Sequence, residues 1–415
     1  MYARIKRASL IALLLMTTFS AFSQEEKKAT LDIYLDCSGC DNALIRQQID
    51  YINYTNDPFT AHVHLFITRL RLGSGGNRYQ LKFIGKQDFE GDQISLDTDV
   101  PPNSSHVESQ ELLIKNIKMG VVSFLAKTMM ENRIEITIQQ DPKGEKEVIA
   151  PNDQRWDNWI FEVFSSMDWR KESSRESINF RYGFDIDKIT PDWRVRIAPS
   201  LYYREQFVEN DGESILSIRR SNYLPVSVVK SITEHLSAGL FGSYYHASYR
   251  NTKLGTWLAP AIEYNIFPYS DVPFKEFTIA YRIGWRHYDY IEETIYLKTT
   301  EDLVRQMLEI ALRIRQPWGS LTAGLEGSNY MEDWTKNRLE MSTRVSLRLV
   351  KGLSVSFGGF FELINDQISL PRGGATLEEI LLGQAQLATD FEASLNFGVS
   401  YTFGALYNNV INTRL

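Results

Sequence analysis

The chain has 415 residues, with 45 Lys+Arg against 52 Asp+Glu and a formal net charge of −7. That balance leaves no electrostatic footprint for a nucleic-acid partner. Past residue 23 no apolar run reaches the ~18 residues that a membrane-spanning helix requires, so any membrane role falls to strands, for which the 21 Tyr and 22 Phe are suited.

In chain order, Arg4, Lys6 and Arg7 precede an apolar stretch from Leu10 to Met16, and Ala21-Phe22-Ser23 supplies small residues ahead of Gln24. Residues 1–23 therefore read as a secretory signal peptide, and no cysteine at its end calls for a lipid anchor. The exported compartment is oxidising, so Cys37 and Cys40 are expected as a disulfide.

Residues 24–140 read as a small periplasmic α/β domain. Leu31, Ile33 and Leu35 alternate as a strand, then Ile45, Ile49 and Ile52 fall on one helical face. A hairpin follows: Ala61, Val63, Leu65 and Ile67 alternate, Gly73-Ser-Gly-Gly76 turns the chain, and Tyr79, Leu81 and Phe83 return. Ser105 and Glu108 form a capping box ahead of Leu113, Ile117, Val121, Phe124 and Leu125 at helical spacing. Arg133 to Gln139, with Ile134, Ile136 and Ile138, reads as a further strand. Cys37-Ser-Gly-Cys40 lies between strand and helix as in a thioredoxin, but Pro58 stands too early and Pro101-Pro102 too far downstream to serve as the loop proline of such a site. The pair reads as a structural staple. His62 and His64 lack a companion carboxylate cluster, so no metal is expected, and no helix follows Gly73-Ser-Gly-Gly76 to make it a phosphate loop. No cofactor is implied.

Residues 141–153, "DPKGEKEVIAPND", read as a linker. From 154 to 404 period-two alternation recurs. Phe391, Ala393, Leu395, Phe397, Val399, Tyr401 and Phe403 make one apolar face opposite Glu392, Ser394, Asn396, Gly398, Ser400 and Thr402. Similar segments at 156–169, 174–185, 192–204, 213–226, 234–248, 255–267, 276–288, 305–316, 318–330, 339–349 and 353–363 bring the total to about twelve strands. The fold class expected is an α+β N-terminal domain followed by an all-β, transmembrane antiparallel barrel in the outer membrane. Residues 405–415 would then be a C-terminal periplasmic tail. The connections at 315–319 and 351–352 should face the periplasm, and the longer ones at 288–303, 328–337 and 365–388 the outside.

In that register Arg181, Arg194, Arg196, Arg219, Arg282, Arg286, Arg313, Arg315, Arg344 and Arg348 point into the lumen with Glu162, Glu263, Glu309, Glu326, Glu340 and Glu362. Charges are costly against lipid and tolerable inside, where opposite signs can pair as a plug. A charged path for small anions is the alternative use of the same residues.

The runs "FGVSYTFGALYNNVINTRL", "RQPWGS", "APAIEYNIFPYSD" and "HVHLFITRLRLGSGGNRYQLKFIG" together resemble a group of uncharacterised outer-membrane barrel proteins of Gram-negative bacteria. The resemblance spans essentially the whole chain past residue 23. It implies fold and location, and no activity. One motif bears on chemistry: His246-Ala-Ser248, with Asn251 after it, is similar to the His-x-Ser of outer-membrane phospholipases and lipid A deacylases, in which His serves Ser as general base. Those enzymes follow the Ser with Asn-Gly or a like pair, whereas Tyr249-Arg250 stands here. The sequence thus favours a non-enzymatic structural, assembly or transport component, porin-like in shape, with outer-membrane lipid around it and a protein partner for its periplasmic domain. A lipid hydrolase using His246, Ser248 and Asn251 is the alternative.

Overall fold

The computed structural model describes residues 31–404 apart from 38, 73–75, 103, 137–157, 211–212, 375–381 and 383–384, together with Tyr407. The expected signal peptide, the linker at 141–153 and the tail beyond residue 404, Tyr407 excepted, lie outside the described residues.

The N-terminal part is an α/β unit. Strand β1 (Asp32–Cys37) leads to helix α1 (Asn42–Gln48), whose N-cap Asp41 accepts from the Leu44 amide at 2.9 Å. A short β2 (Asn53–Tyr54) then returns parallel to β1. Next come β3 (Val63–Arg71), parallel to β1, then β4 (Asn77–Gly85) and β5 (Gln93–Val100), both antiparallel. The sheet order is β2-β1-β3-β4-β5. Helix α2 (His106–Leu125) starts with the capping box, Ser105 and Glu108 each satisfying the other's backbone amide. Its Leu113, Ile117, Val121 and Phe124 share one core with Leu81, Phe83, Ile33 and Ile45. Gly120 lets the helix approach the sheet, since a Cβ there would lie 2.1 Å from the Phe83 ring.

The strand expected over 133–139 is not found in the described part of that stretch. Glu131–Arg133 is one turn of 3-10 helix, and residues 134–136 are unpaired. The sheet position beside β4 belongs instead to β5, where Ile94, Leu96, Thr98 and Val100 alternate. Its Asp97 and Asp99, types depleted in strands, mask that signal; Asp99 is held outward by Arg78 at 2.6 Å.

The remaining strands form one antiparallel sheet of thirteen segments among the described residues: β6 (Trp159–Lys171), β7 (Arg175–Ile189), β8 (Trp193–Ile197), β9 (Ser200–Asn210), β10 (Glu213–Ser231), β11 (Leu236–Ala247), β12 (Thr252–Asn265), β13 (Lys275–Tyr290), β14 (Thr300–Gln316), β15 (Gly319–Tyr330), β16 (Asn337–Val350), β17 (Leu353–Ile364) and β18 (Phe391–Tyr401). Both β8 and β9 lie between β7 and β10. They occupy one strand position, broken at Ala198-Pro199 because proline has no amide to give the ladder. Twelve strand positions result, as the alternation predicts. At its two ends the sheet stops: among the described residues β6 pairs with β7 and β18 with β17, and no ladder joins β6 to β18.

The α/β unit sits at the end of the sheet where β6 begins and β18 finishes. Arg71 meets Glu162 of β6 at 2.7 Å, Arg348 of β16 meets Asp36 of β1 at 2.7 Å, and Tyr407 donates to Asp32 at 3.1 Å while bridging to Thr55. Both open ends of the large sheet are thus tied to the same small domain. The expected contrast of turn lengths holds for 317–318 and 351–352 at this end against 291–299, 331–336 and 365–390 at the other. It fails at 266–274, a long connection at the domain end, and at 172–174 and 248–251, short ones at the other. The 266–274 loop carries Phe274 to Phe66, ring centroids 5.9 Å apart, and beneath Lys82 at 3.5 Å, so its length serves the contact between the two parts.

Candidate functional site

The register settles which side chains share a face. Across β12 to β15, Trp257 lies opposite Arg286, Ala261 opposite Arg282, Arg282 opposite Met307, and Glu309 opposite Glu326. Extended to the other strands, this phase holds every arginine and glutamate named above as inward-pointing. The opposite face carries Leu240, Leu258, Ile262, Trp285, Leu308 and Met341, each 45–51% exposed.

On the inner face some charges pair. Arg282 meets Glu309 at 2.9 Å, Arg313 meets Glu276 at 2.7 Å, and Arg196 lies 3.6 Å from Asp185. Glu263 accepts from the Tyr269 hydroxyl at 2.9 Å, and Arg194 lies in a cavity of about 330 Å³ with Arg196, Glu263 and Arg282. Arg315 and Arg348 line a cavity of about 410 Å³ beneath the α/β unit, with Asp36.

Alternating signs are not the rule, however. Glu309, Glu326, Glu340, Glu362 and Glu392 stand directly opposite one another on five successive strands, β14 to β18, making a continuous acidic row. Arginines reach this row too: Arg282 pairs with Glu309 and Arg338 with Glu362. A chamber of about 820 Å³ between β6 and β14 is lined by Arg181, Arg219, Arg220, Arg250, Arg286 and Arg305, and by no carboxylate among the described residues. Tyr202, Tyr245, Tyr249 and Trp257 also line it. Residues of β6 and β14 border one cavity, so the sheet curls round its inner face.

Aromatic rings hold several of these guanidiniums without neutralising them. Arg219 lies 4.2 Å from the Tyr249 ring centre and Arg286 5.1 Å from that of Trp257. Arg286 also donates to the Tyr288 hydroxyl at 2.9 Å, and Arg305 to Ser328 at 2.5 Å. Three buried donors in this wall, Trp257 Nε1, Arg286 Nε and Arg305 Nε, have no acceptor among the described residues.

A smaller chamber of about 250 Å³ adjoins it, sharing Tyr245, Arg250, Arg286 and Arg305, and reaches Glu326 and Glu340 of the acidic row. Its cover is the connection after β17. Asp366 pairs with Arg338 at 2.7 Å and lies 3.8 Å from Arg305. Ile368 is buried against Tyr288, Tyr290, Leu303 and Tyr330. The Ile295 amide donates to the Leu370 carbonyl at 2.9 Å, and Arg372 meets Glu293 at 2.8 Å. The segment 366–372 is therefore folded across the end of the sheet away from the α/β unit. The composition of the stretch does not announce this; the isolated Asp366 and Ile368 would have been the only cues.

No hydrogen bond joins His246 to Ser248 among the described residues. His246 sits on the outward face with its Nδ1 3.0 Å from the Lys253 carbonyl, while the Ser248 hydroxyl receives the Arg220 amide at 3.0 Å and donates to the Arg220 carbonyl. Asn251, in a left-handed turn conformation that asparagine tolerates, donates to the Glu292 and Ser369 carbonyls at 2.9 and 3.0 Å. These side chains lock turns: serine clamps the β11–β12 turn to β10, and asparagine anchors the covering segment.

In the α/β unit Cys37 and Cys40 are paired, with Cα atoms 5.7 Å apart, between β1 and α1. The seven-residue helix begins two residues beyond Cys40, with Asp41 as its N-cap. His62 and His64 diverge: His62 Nδ1 accepts from the Asp32 amide at 3.2 Å and buried His64 lies 3.1 Å from Asp36. Among the described residues no group of three or more His, Cys, Asp or Glu is placed to hold a metal ion. Comparison with protein-family models, with curated proteins and with solved structures finds no match to this chain.

Proposed function

We propose that this chain is an outer-membrane β-barrel protein of Gram-negative bacteria, with its α/β unit in the periplasm and a non-enzymatic structural, assembly or transport role. The observation that carries the reading is the two-faced sheet. Apolar side chains stand exposed on the outer face of strand after strand, up to 78% for Leu395, while arginines and glutamates fill the inner one. A water-soluble monomer rarely exposes so extended an apolar surface, whereas lipid against one face and a polar interior against the other is the environment of a membrane barrel. The paired charges and the segment 366–372 support a lumen closed at rest. The non-productive partners of Ser248 favour this reading over lipid hydrolysis.

In a bilayer, backbone groups facing hydrocarbon must find partners within the protein, so the reading requires β6 and β18 to pair there. Hydrogen exchange of the full chain folded into liposomes tests it. Expected are protected amides in β6 and β18 comparable with those of β13 and β14, and a folded form that needs lipid or detergent to stay in solution. Free exchange along both end strands, or a stable soluble monomer in plain buffer, would overturn it.

A further inference from the structure

We propose that the arginine-lined chamber is a binding site for a phosphorylated sugar, whether a soluble solute or the headgroup of a glycolipid. This rests on the barrel reading for its setting, but its chemistry stands on the chamber alone.

The wall is rich in donors and poor in acceptors. Five inward arginines (Arg181, Arg219, Arg250, Arg286 and Arg305) and no carboxylate among the described residues border about 820 Å³, a volume within the ordinary range of small-molecule sites; Arg220 borders it too but turns its guanidinium to Tyr203 on the outer face. Acids are not scarce in this interior: Glu309 and Glu362 of the acidic row pair with Arg282 and Arg338, and Asp185 and Glu276 with Arg196 and Arg313, yet none of these carboxylates borders the chamber. Arg305 has Asp366 at 3.8 Å, whereas Arg181, Arg219, Arg250 and Arg286 have no carboxylate within 4 Å among the described residues, which leaves their charge uncompensated until an anion enters.

The geometry of the arginines fits the same occupant. The rings of Tyr249 and Trp257 hold Arg219 and Arg286 by cation–π contact without supplying an oxygen acceptor, so N–H groups beyond the one that Arg286 gives to Tyr288 are left to grip a phosphate. Buried Trp257 Nε1, Arg286 Nε and Arg305 Nε, all without acceptors among the described residues, show how short this wall is of oxygen atoms. Rings of Tyr202, Tyr245 and Trp257 offer flat apolar surface for the C–H face of a sugar. Phosphate groups borne on a ring match both demands.

The test is calorimetric titration of the full chain, folded in detergent micelles, with four probes. These are glucose 1,6-bisphosphate, inorganic pyrophosphate, glucose, and a diphosphorylated disaccharide lipid in mixed micelles. The sugar bisphosphate or the phosphorylated lipid should bind, glucose should not, and binding should weaken as salt is raised. Lipid binding without solute binding assigns the leaflet as the source, and the reverse assigns the aqueous phase. Arg181→Gln and Arg219→Gln, made separately so that a folding failure in one leaves the other readable, should each weaken binding by about tenfold or more, as loss of a hydrogen-bonded charge implies. Arg313→Gln, which alters the Glu276 pair outside the chamber, should leave it unchanged. No binding of either phosphorylated sugar, equal affinity for pyrophosphate, or indifference to both chamber substitutions would overturn the proposal. Binding by a chain that fails to enter liposomes would instead sink the barrel reading and leave the chamber standing.

Discussion

Replacing Asp36 by alanine should loosen the α/β unit from the large sheet. The Asp36 carboxylate takes both Arg348 nitrogens, at 2.7 and 3.0 Å, and the two side chains are only 18% and 24% exposed. His64 reaches the same carboxylate, and Arg348 also donates to the Pro317 carbonyl at 2.8 Å. Breaking one side of a buried pair costs about 3–5 kcal/mol. Partial exposure and the retained Pro317 contact reduce this to about 2 kcal/mol, a factor of about 30 in the docking equilibrium. By comparison the Arg71–Glu162 pair, with both side chains about half exposed, contributes at most about 1 kcal/mol. Spin labels on Val107 of α2 and Lys351 of the β16–β17 turn report docking through their dipolar distance. The distribution should be narrow in the native chain, broad in Asp36→Ala, and little changed in Glu162→Ala. A distribution as narrow in Asp36→Ala as in the native chain would refute the reasoning. So would strict additivity of Asp36→Ala and Arg348→Ala, since contacting partners must couple.

The same contact should respond to acid and not to base. Burial alone raises the Asp36 carboxyl, but hydrogen bonds from His64 and Arg348 and the Arg348 charge outweigh it and hold it below its ordinary value; burial depresses His64. Groups lowered in the folded state stabilise it above their free values, near 6.5 and 4, and the benefit fades as pH falls through the depressed ones. The label distances should therefore hold from pH 7 to 9 and broaden most below about 4; broadening between 7 and 9 would contradict the assignment. Ser105→Ala removes the N-cap of α2 and should cost the α/β unit about 1 kcal/mol in denaturant unfolding, whereas a loss seen only in the large sheet would be inconsistent with the packing. Deleting 366–371, the cover pinned by Asp366 and Asn251, should give steady conductance in planar bilayers where the intact protein gives none. A conducting intact protein would remove the closed lumen. In mixed micelles neither the native chain nor Ser248→Ala should release fatty acid, and serine-dependent release would restore the hydrolase reading.

Alternation alone determined much of this protein. Period two carries strand identity because successive side chains point to opposite faces, so the twelve strand positions, the apolar outer phase and the charged inner phase were all readable from residues such as Phe397 and Asn396. The helix at 106–125 was equally plain from its capping box and the spacing of Leu113, Ile117, Val121 and Phe124. Local pattern failed where the outcome depended on a competitor: Ile134, Ile136 and Ile138 alternate well, yet the edge of β4 is taken by a segment carrying two aspartates. Nor does it say where residues close in sequence find their partners, as with His246, Ser248 and Asn251, each drawn to a separate backbone segment.

What tertiary structure decided was placement across strands. Each inward glutamate and arginine can be identified from its own strand, but only the register puts Glu309, Glu326, Glu340, Glu362 and Glu392 in one row and, among the described residues, leaves the arginine chamber without a carboxylate in its lining. The register between strands is fixed by hydrogen bonds and turn geometry, neither of which is written in the phase of a single strand. The fold of residues 366–372 over the smaller chamber was hidden for the same reason: Asp366 and Ile368 acquire their meaning from Arg338 and Tyr330, which belong to other strands.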